Sequence, residues 1–180
     1  MVSRSILPFG GSAADAAATM SSPVIDSASF TLGTVSVTVT SAPVGRTVIV
    51  DGTVYTAPQT FSWQANSPHV IATDTIQAGG TGTRYVYASW SDTGGISHAI
   101  TPSASRTYTV TFTTQYYLTM NNNTGGSVTP PSGWVNRNSA VTITATADNG
   151  YGFLSWSGTG TGSYSGGNNP ATVFMSAPIT

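Results

Sequence analysis

Six Asp, two His and neither Glu, Lys nor Cys are what the 180-residue chain offers for acid–base or metal chemistry. A glycosidase-type carboxylate pair would have to come from those Asp residues alone. Asp51, Asp92 and Asp148 flank Gly in turn contexts, where Asp is favoured for its local hydrogen bonding. A Ser/His/Asp arrangement can be written with Ser97, His98 and Asp92, but no G-x-S-x-G elbow presents a nucleophile. His69 and His98 are isolated strand residues, short of the ligand number of a zinc site. The Gly-rich stretch 158–162 is followed by no helix and no Lys, so it does not read as a phosphate loop. No catalytic residue, metal site or cofactor is expected. The remaining side chains with binding potential are aromatic. Tyr55, Trp63, Trp134 and Tyr164 fall at turns or strand edges and suit a sugar-stacking platform, core or inter-module packing, or self-assembly contacts.

The elements that carry these residues are strands. Residues 84–94 read RYVYASWSDTG and residues 150–160 read GYGFLSWSGTG. Both place an alternating aromatic strand before Ser-Trp-Ser and a Gly-rich turn, so Trp90 and Trp156 are the expected core anchors. Period-two alternation marks further strands at 35–40, 140–147 and 106–114. Asp51-Gly52 between two short apolar runs predicts a type I′ hairpin. Residues 77–82 and 158–169 read as Gly-rich loops, and Pro130-Pro131 suits a sheet edge or corner. No segment keeps a 3.6-residue period with caps. The expected fold is all-β: two tandem small antiparallel β-sandwich-like modules, with a β-grasp variant as the other packing, at 33–113 and 114–180. A leader occupies residues 1–32.

The order of segments repeats between the two modules. Each has a Trp strand, a Gly-rich loop and a closing Thr-rich strand, which is TYTVTF (107–112) in the first. In the second, residues 175–180 (MSAPIT) stand where the closing strand should begin. The leader carries a near copy of them, MSSPVI (20–25), followed by DSASF (26–30), in which Phe30 takes the place of Phe112. The second module is therefore expected to lack its closing strand. Either the chain is a window from a longer array, or the leader strand of one copy, at about 23–31, completes the second module of another by β-augmentation. The donor residues would be Val24, Ile25, Ala28 and Phe30, and the acceptor edge Val173, Met175 and Ile179. Asp26 falls on the same face as Ala28 and Phe30 and counts against burial.

Composition narrows the partners. Only 6% of residues are charged, against about 25% in ordinary domains. Net charge is −1 with no basic cluster, which excludes nucleic-acid binding by phosphate neutralisation and attraction to anionic membranes. No apolar run reaches the ~20 residues of a membrane span, and the N-terminal stretch is too interrupted for a signal peptide. Zero Cys excludes disulfides and thiolate sites. Uncharged, Thr-rich strand edges lack the charges that deter edge pairing.

Gly125-Gly126-Ser127-Val128, Ser132-Gly133-Trp134, VTITATA (141–147), Gly150-Tyr151-Gly152-Phe153, Ser155-Trp156-Ser157-Gly158 and the Pro-Ala-Thr-Val run at 170–173 recur in one order. With them, about residues 114–180 resemble the divergent internalin-type B-repeat of bacterial surface and secreted proteins. The first module, with TVIVDGTVYTAPQTFSW, resembles PEGA-like repeats. The resemblance implies an extracellular or cell-surface, tandem, non-catalytic module. The expected function is a structural repeat, a fibre, stalk or adhesin subunit whose partners are further copies or neighbouring repeats. The alternative is a carbohydrate-binding accessory module of a secreted hydrolase, with a polysaccharide as partner.

Overall fold

Alternating Val and Thr set the first strand of the protein. In β1 (Thr34–Ala42), Val35, Val37 and Val39 turn inward and are buried, while Ser36 is exposed and Thr38 and Thr40 are half-buried. The computed structural model describes Ser29 and residues 31–180. The donor residues Val24, Ile25, Ala28 and Phe30 lie outside them. The described residues continue as β2 (Thr47–Val50), β3 (Thr53–Thr56), β4 (Gln59–Gln64), β5 (His69–Ala72), β6 (Ile76–Ala78), β7 (Thr83–Trp90), β8 (Ser97–Ile100), β9 (Arg106–Leu118), β10 (Gly126–Thr129), β11 (Gly133–Asn136), β12 (Ala140–Ala147) and β13 (Ala171–Phe174), with no helix. The fold is all-β and sandwich-like. Asp51 and Gly52 have φ of 49° and 80°, as the β2–β3 hairpin requires.

One sheet runs β4-β1-β9-β7-β6, with β11 on the far half of β9; a second runs β3-β2-β5-β8 and a third β10-β12-β13. The first core fills the space between the first two sheets. It gathers Val37, Val39, Val48, Ile71, Trp90, Tyr108, Val110 and Phe112. A second core gathers Leu118, Ile143, Ala171, Val173, Met175 and Ile179. The position expected as a boundary, 113/114, falls inside β9. This strand closes the N-terminal module with its first half and opens the C-terminal module with its second. Every strand pairing is antiparallel except β1 with β9, where the closing strand runs parallel to the first strand.

The repeat seen in the sequence is repeated in the hydrogen bonds. Asn66 and Asn138 both adopt left-handed φ (64° and 66°) after their strands. Asn66 N–H donates to Pro102 O and Asn138 N–H to Met175 O, each at 2.8 Å. Val37 lies opposite Phe61 on one side and level with Arg106 on the other; Leu118 likewise lies opposite Gly133 and level with Ile179. Ile179 is thus the structural counterpart of Arg106, the first residue of the closing strand.

Two expectations are corrected. Gln77, read as part of a loop, lies in β6. Its amide accepts from Thr47 N–H (2.8 Å) and donates to Thr47 O (2.8 Å) and Thr73 Oγ1 (3.0 Å), joining β6 to β2 of the other sheet. The second aromatic stretch, 150–156, is not a strand. It keeps only an isolated bridge between Trp156 and Gly166. The physical reason is the missing partner. In the N-terminal module, β7 is held by β9 through pairs such as Trp90 with Val110 and Tyr87 with Phe112. No counterpart of Tyr108, Val110 and Phe112 lies beside 150–156 among the described residues.

Candidate assembly site

The place where that strand would lie is a groove. Its first part is a cavity of about 90 Å³ lined by Leu118, Met120, Ile143, Trp156, Tyr164 and Ile179. Its second is a trough of about 370 Å³ bounded by residues 121–123 on one wall and 152–157 on the other, with Val128 and Ala145 beneath. The walls are the continuation of β9, the counterpart of β1, and the stretch equivalent to β7; in the N-terminal module β9 lies between β1 and β7. Ile179 and Thr180 enter the groove at one end. Ile179 N–H donates to Tyr117 O (3.1 Å) and Thr119 N–H to Ile179 O (2.8 Å), which fixes the first rung of a parallel pairing.

The loop 158–167 is tied to the C-terminal segment, and Gly158, Ser163 and Tyr164 line the cavity. Phe174 N–H donates to Gly162 O at 2.9 Å, and Thr159 and Thr180 exchange two backbone bonds at 2.6 and 3.1 Å. The C-terminal segment is thereby pinned with its last residues directed along β9.

The two Trp anchors differ in a way that marks the groove. Trp90 is 2% exposed, and its indole N–H donates to Ile96 O at 3.3 Å. Trp156 is half-buried, and its indole nitrogen is itself buried without an acceptor among the described residues. A buried donor without a partner costs about 1–3 kcal/mol. Beside it, Tyr151 and Leu154 are 60% and 88% exposed. Val173, Met175 and Ile179, expected at an acceptor edge, are the buried side chains that floor this core.

The aromatic candidates do not gather on one surface. Trp63 stacks on His69 (3.7 Å) and on Phe61 (5.1 Å), and Tyr55 meets Phe61 edge-on at 5.3 Å. Tyr164 packs on the second core, and its hydroxyl accepts from Asn168 N–H at 3.2 Å. Trp134 lies on β11, with the Arg84 guanidinium 4.5 Å from its ring centroid and Tyr117 edge-on at 5.2 Å.

The histidines were read as isolated, and each has a carboxylate. His98 Nε2 is 3.0 Å from Asp92 and its Nδ1 is 2.7 Å from Gly95 O; no hydrogen bond joins it to Ser97. The chain Ser67–His69–Asp51 was missed: Ser67 Oγ is 2.9 Å from His69 Nε2, and His69 Nδ1 is 2.7 Å from Asp51. The order is that of a nucleophile, base and carboxylate. Ser67, however, turns its hydroxyl to Gln64 O at 2.7 Å and its own N–H to the same oxygen at 3.1 Å. Asp51 also accepts from Val70 N–H at 2.8 Å. The arrangement ties the β2–β3 turn to the start of β5. Ser67-Pro68-His69 carried no sign of it, because Asp51 arrives from a distant turn.

Burial pushes the Asp51 and Asp92 carboxyls up, but the His69 and His98 hydrogen bonds, the amides of Val70 and Gly94 and the histidine charges outweigh it and hold both below the ordinary carboxylate value. A depressed folded value means that the stability these groups contribute is complete above the ordinary carboxylate pKa of about 4 and is lost as pH falls through the lower folded values. Thermal melts at stepped pH should therefore show a decline below about pH 4, shallower in Asp51→Asn and Asp92→Asn. An unchanged acid limb in both variants would mean that the pairs contribute nothing.

The stretch from the far half of β9 to Ile179 folds around one core, and it is also one unit in comparison with known families. Residues 116–180 match the family model of the divergent InlB B-repeat domain. Repeats of this kind are typically carried by surface-associated bacterial proteins, so the matched residues are similar to a surface repeat module. The match does not reach the stretch likened to PEGA repeats. No curated protein and no solved structure matches the chain. The groove lies within the matched residues, and its lining begins at Leu118, the last residue of β9.

Proposed function

We propose that the protein is a non-catalytic structural repeat subunit of an extracellular surface fibre or stalk, assembling head to tail by β-strand complementation. The observation that carries this is the groove of the C-terminal module, open along the path that β9 fills in the N-terminal one. An added strand would meet backbone at Asn121, Asn122 and 152–155 that has no hydrogen-bond partner among the described residues. Each hydrogen bond so formed contributes about 0.5–1.5 kcal/mol net, and a buried Phe about 1.5–3 kcal/mol. Donor and acceptor surfaces differ, so the contact is heterologous and propagates instead of closing as a two-fold dimer does.

Deletion of residues 1–30 tests it. By light scattering the full chain should form particles that grow with concentration, and the deletion variant should stay monomeric. Polymers of equal length from both would remove strand complementation.

A further inference from the structure

The structure also carries the identity and register of the strand that would fill the groove. Ile179 is the counterpart of Arg106, as the pairs Val37 with Arg106 and Leu118 with Ile179 establish. The sequence copies residues 175–180 at 20–25, which puts Val24 at the position of Ile179. Counting on, Asp26, Ala28 and Phe30 take the places of Tyr108, Val110 and Phe112, which are 4%, 0% and 5% exposed in the N-terminal module. Val110 faces Trp90 and Phe112 faces Tyr87 there, so Ala28 would face Trp156 and Phe30 would face Phe153.

We propose that residues 26–30 of a second copy occupy the groove in this register, starting where Thr180 stops, parallel to residues 120–123 and antiparallel to 152–156. This rests on the strand complementation proposed above and names its donor. The chain's own segment cannot serve. Val37 is level with Arg106, so β1 starts below that level, at Thr34. β9 rises about 40 Å from Arg106 to Leu118, and Phe30 in the groove would lie about 20 Å farther on. Residues 31–33 would then have to span roughly 60 Å, whereas so short a segment reaches about 14 Å. A second copy has no such constraint. The join between copies would differ from the join between modules by one residue, since Phe30 to Val37 is one position longer than Phe112 to Leu118.

The register makes predictions of opposite sign. Asp26 is directed inward, opposite Met120, in a groove whose lining holds no Arg, Lys or His to pair with it and whose one ionisable side chain is Tyr164. Asp26→Val should therefore lower the concentration at which the full chain polymerises at least about tenfold, and Phe30→Asp should raise it at least about tenfold. Asn121 and Ser27 occupy the places of Thr40 and Thr109, which are Cα partners on the half-exposed face. The chain has no Cys, so a mixture of Asn121→Cys and Ser27→Cys chains should give a disulfide-linked pair on mild oxidation, identified by mass spectrometry of the joined peptides. Asn121→Cys with Ala28→Cys should not, because successive strand side chains point to opposite faces. Preferential linkage through Ala28, or no response to Asp26→Val, overturns the register and leaves complementation standing, provided deletion of 1–30 still abolishes polymers. Polymers without residues 1–30, or no polymers from the full chain, overturn both. Linkage within a single chain carrying both Asn121→Cys and Ser27→Cys overturns the second-copy assignment.

Discussion

Trp90→Ala is expected to lower the melting temperature of the protein by roughly 10 °C, the shift that a loss of about 3–5 kcal/mol produces in a chain of this size. Trp90 is among the largest fully buried side chains. It ends β7 opposite Val110, donates its indole N–H to Ile96 O, and meets the His98 ring edge-on at 5.9 Å. Truncation leaves a cavity between two sheets whose neighbours, Val37, Val39 and Ile71, are short and held by their strands. Trp156→Ala, the matching change in the other module, should cost less than half as much. Its ring is only half-buried and its N–H has no acceptor to lose. Differential scanning calorimetry of the two variants measures the contrast. Equal losses would mean that the second anchor is as firmly packed as the first.

Gly162→Ala is expected to unseat the loop 158–167 from the C-terminal segment. Gly162 has φ of 94°, a conformation that side chains rarely adopt, and an added Cβ would overlap the Phe174 carbonyl oxygen. Backbone strain alone is worth about 1–3 kcal/mol. The overlap also breaks the approach that lets Phe174 N–H reach Gly162 O. The loss should be confined to the second module. Amides of Phe174, Ile179 and Thr180 should exchange with solvent at least tenfold faster, while those of β1 and β7 keep their protection. Faster exchange throughout would show that the two cores unfold together.

What the sequence made legible was local and periodic. The Val and Thr alternation placed β1 and β12, Asp51-Gly52 placed the hairpin, and the two Ser-Trp-Ser stretches revealed the duplication. What it concealed depended on partners far along the chain. Arg106 to Leu118 read as the end of one unit and the start of another, because nothing in Thr113, Thr114 and Gln115 says whether a strand stops or continues. Residues 150–156 have the pattern of β7 but stay unpaired, since a pattern does not supply its neighbour. Gln77 became part of a strand by pairing with Tyr85 of β7, and its side chain is held by Thr47 and Thr73. Ser67, His69 and Asp51 met only once β2, β4 and β5 were in place.

The unbroken backbone of β9 has a mechanical consequence. Tension applied along the chain passes from one core to the other through covalent bonds, so neither module can be peeled from its neighbour without first being unravelled. A joint between copies built on the same plan would be pulled along its strand axis, so that its hydrogen bonds share the load and give way together. Such a rod would be strong inside each subunit and would part at the seams, a division of labour in which breakage releases intact, refillable ends.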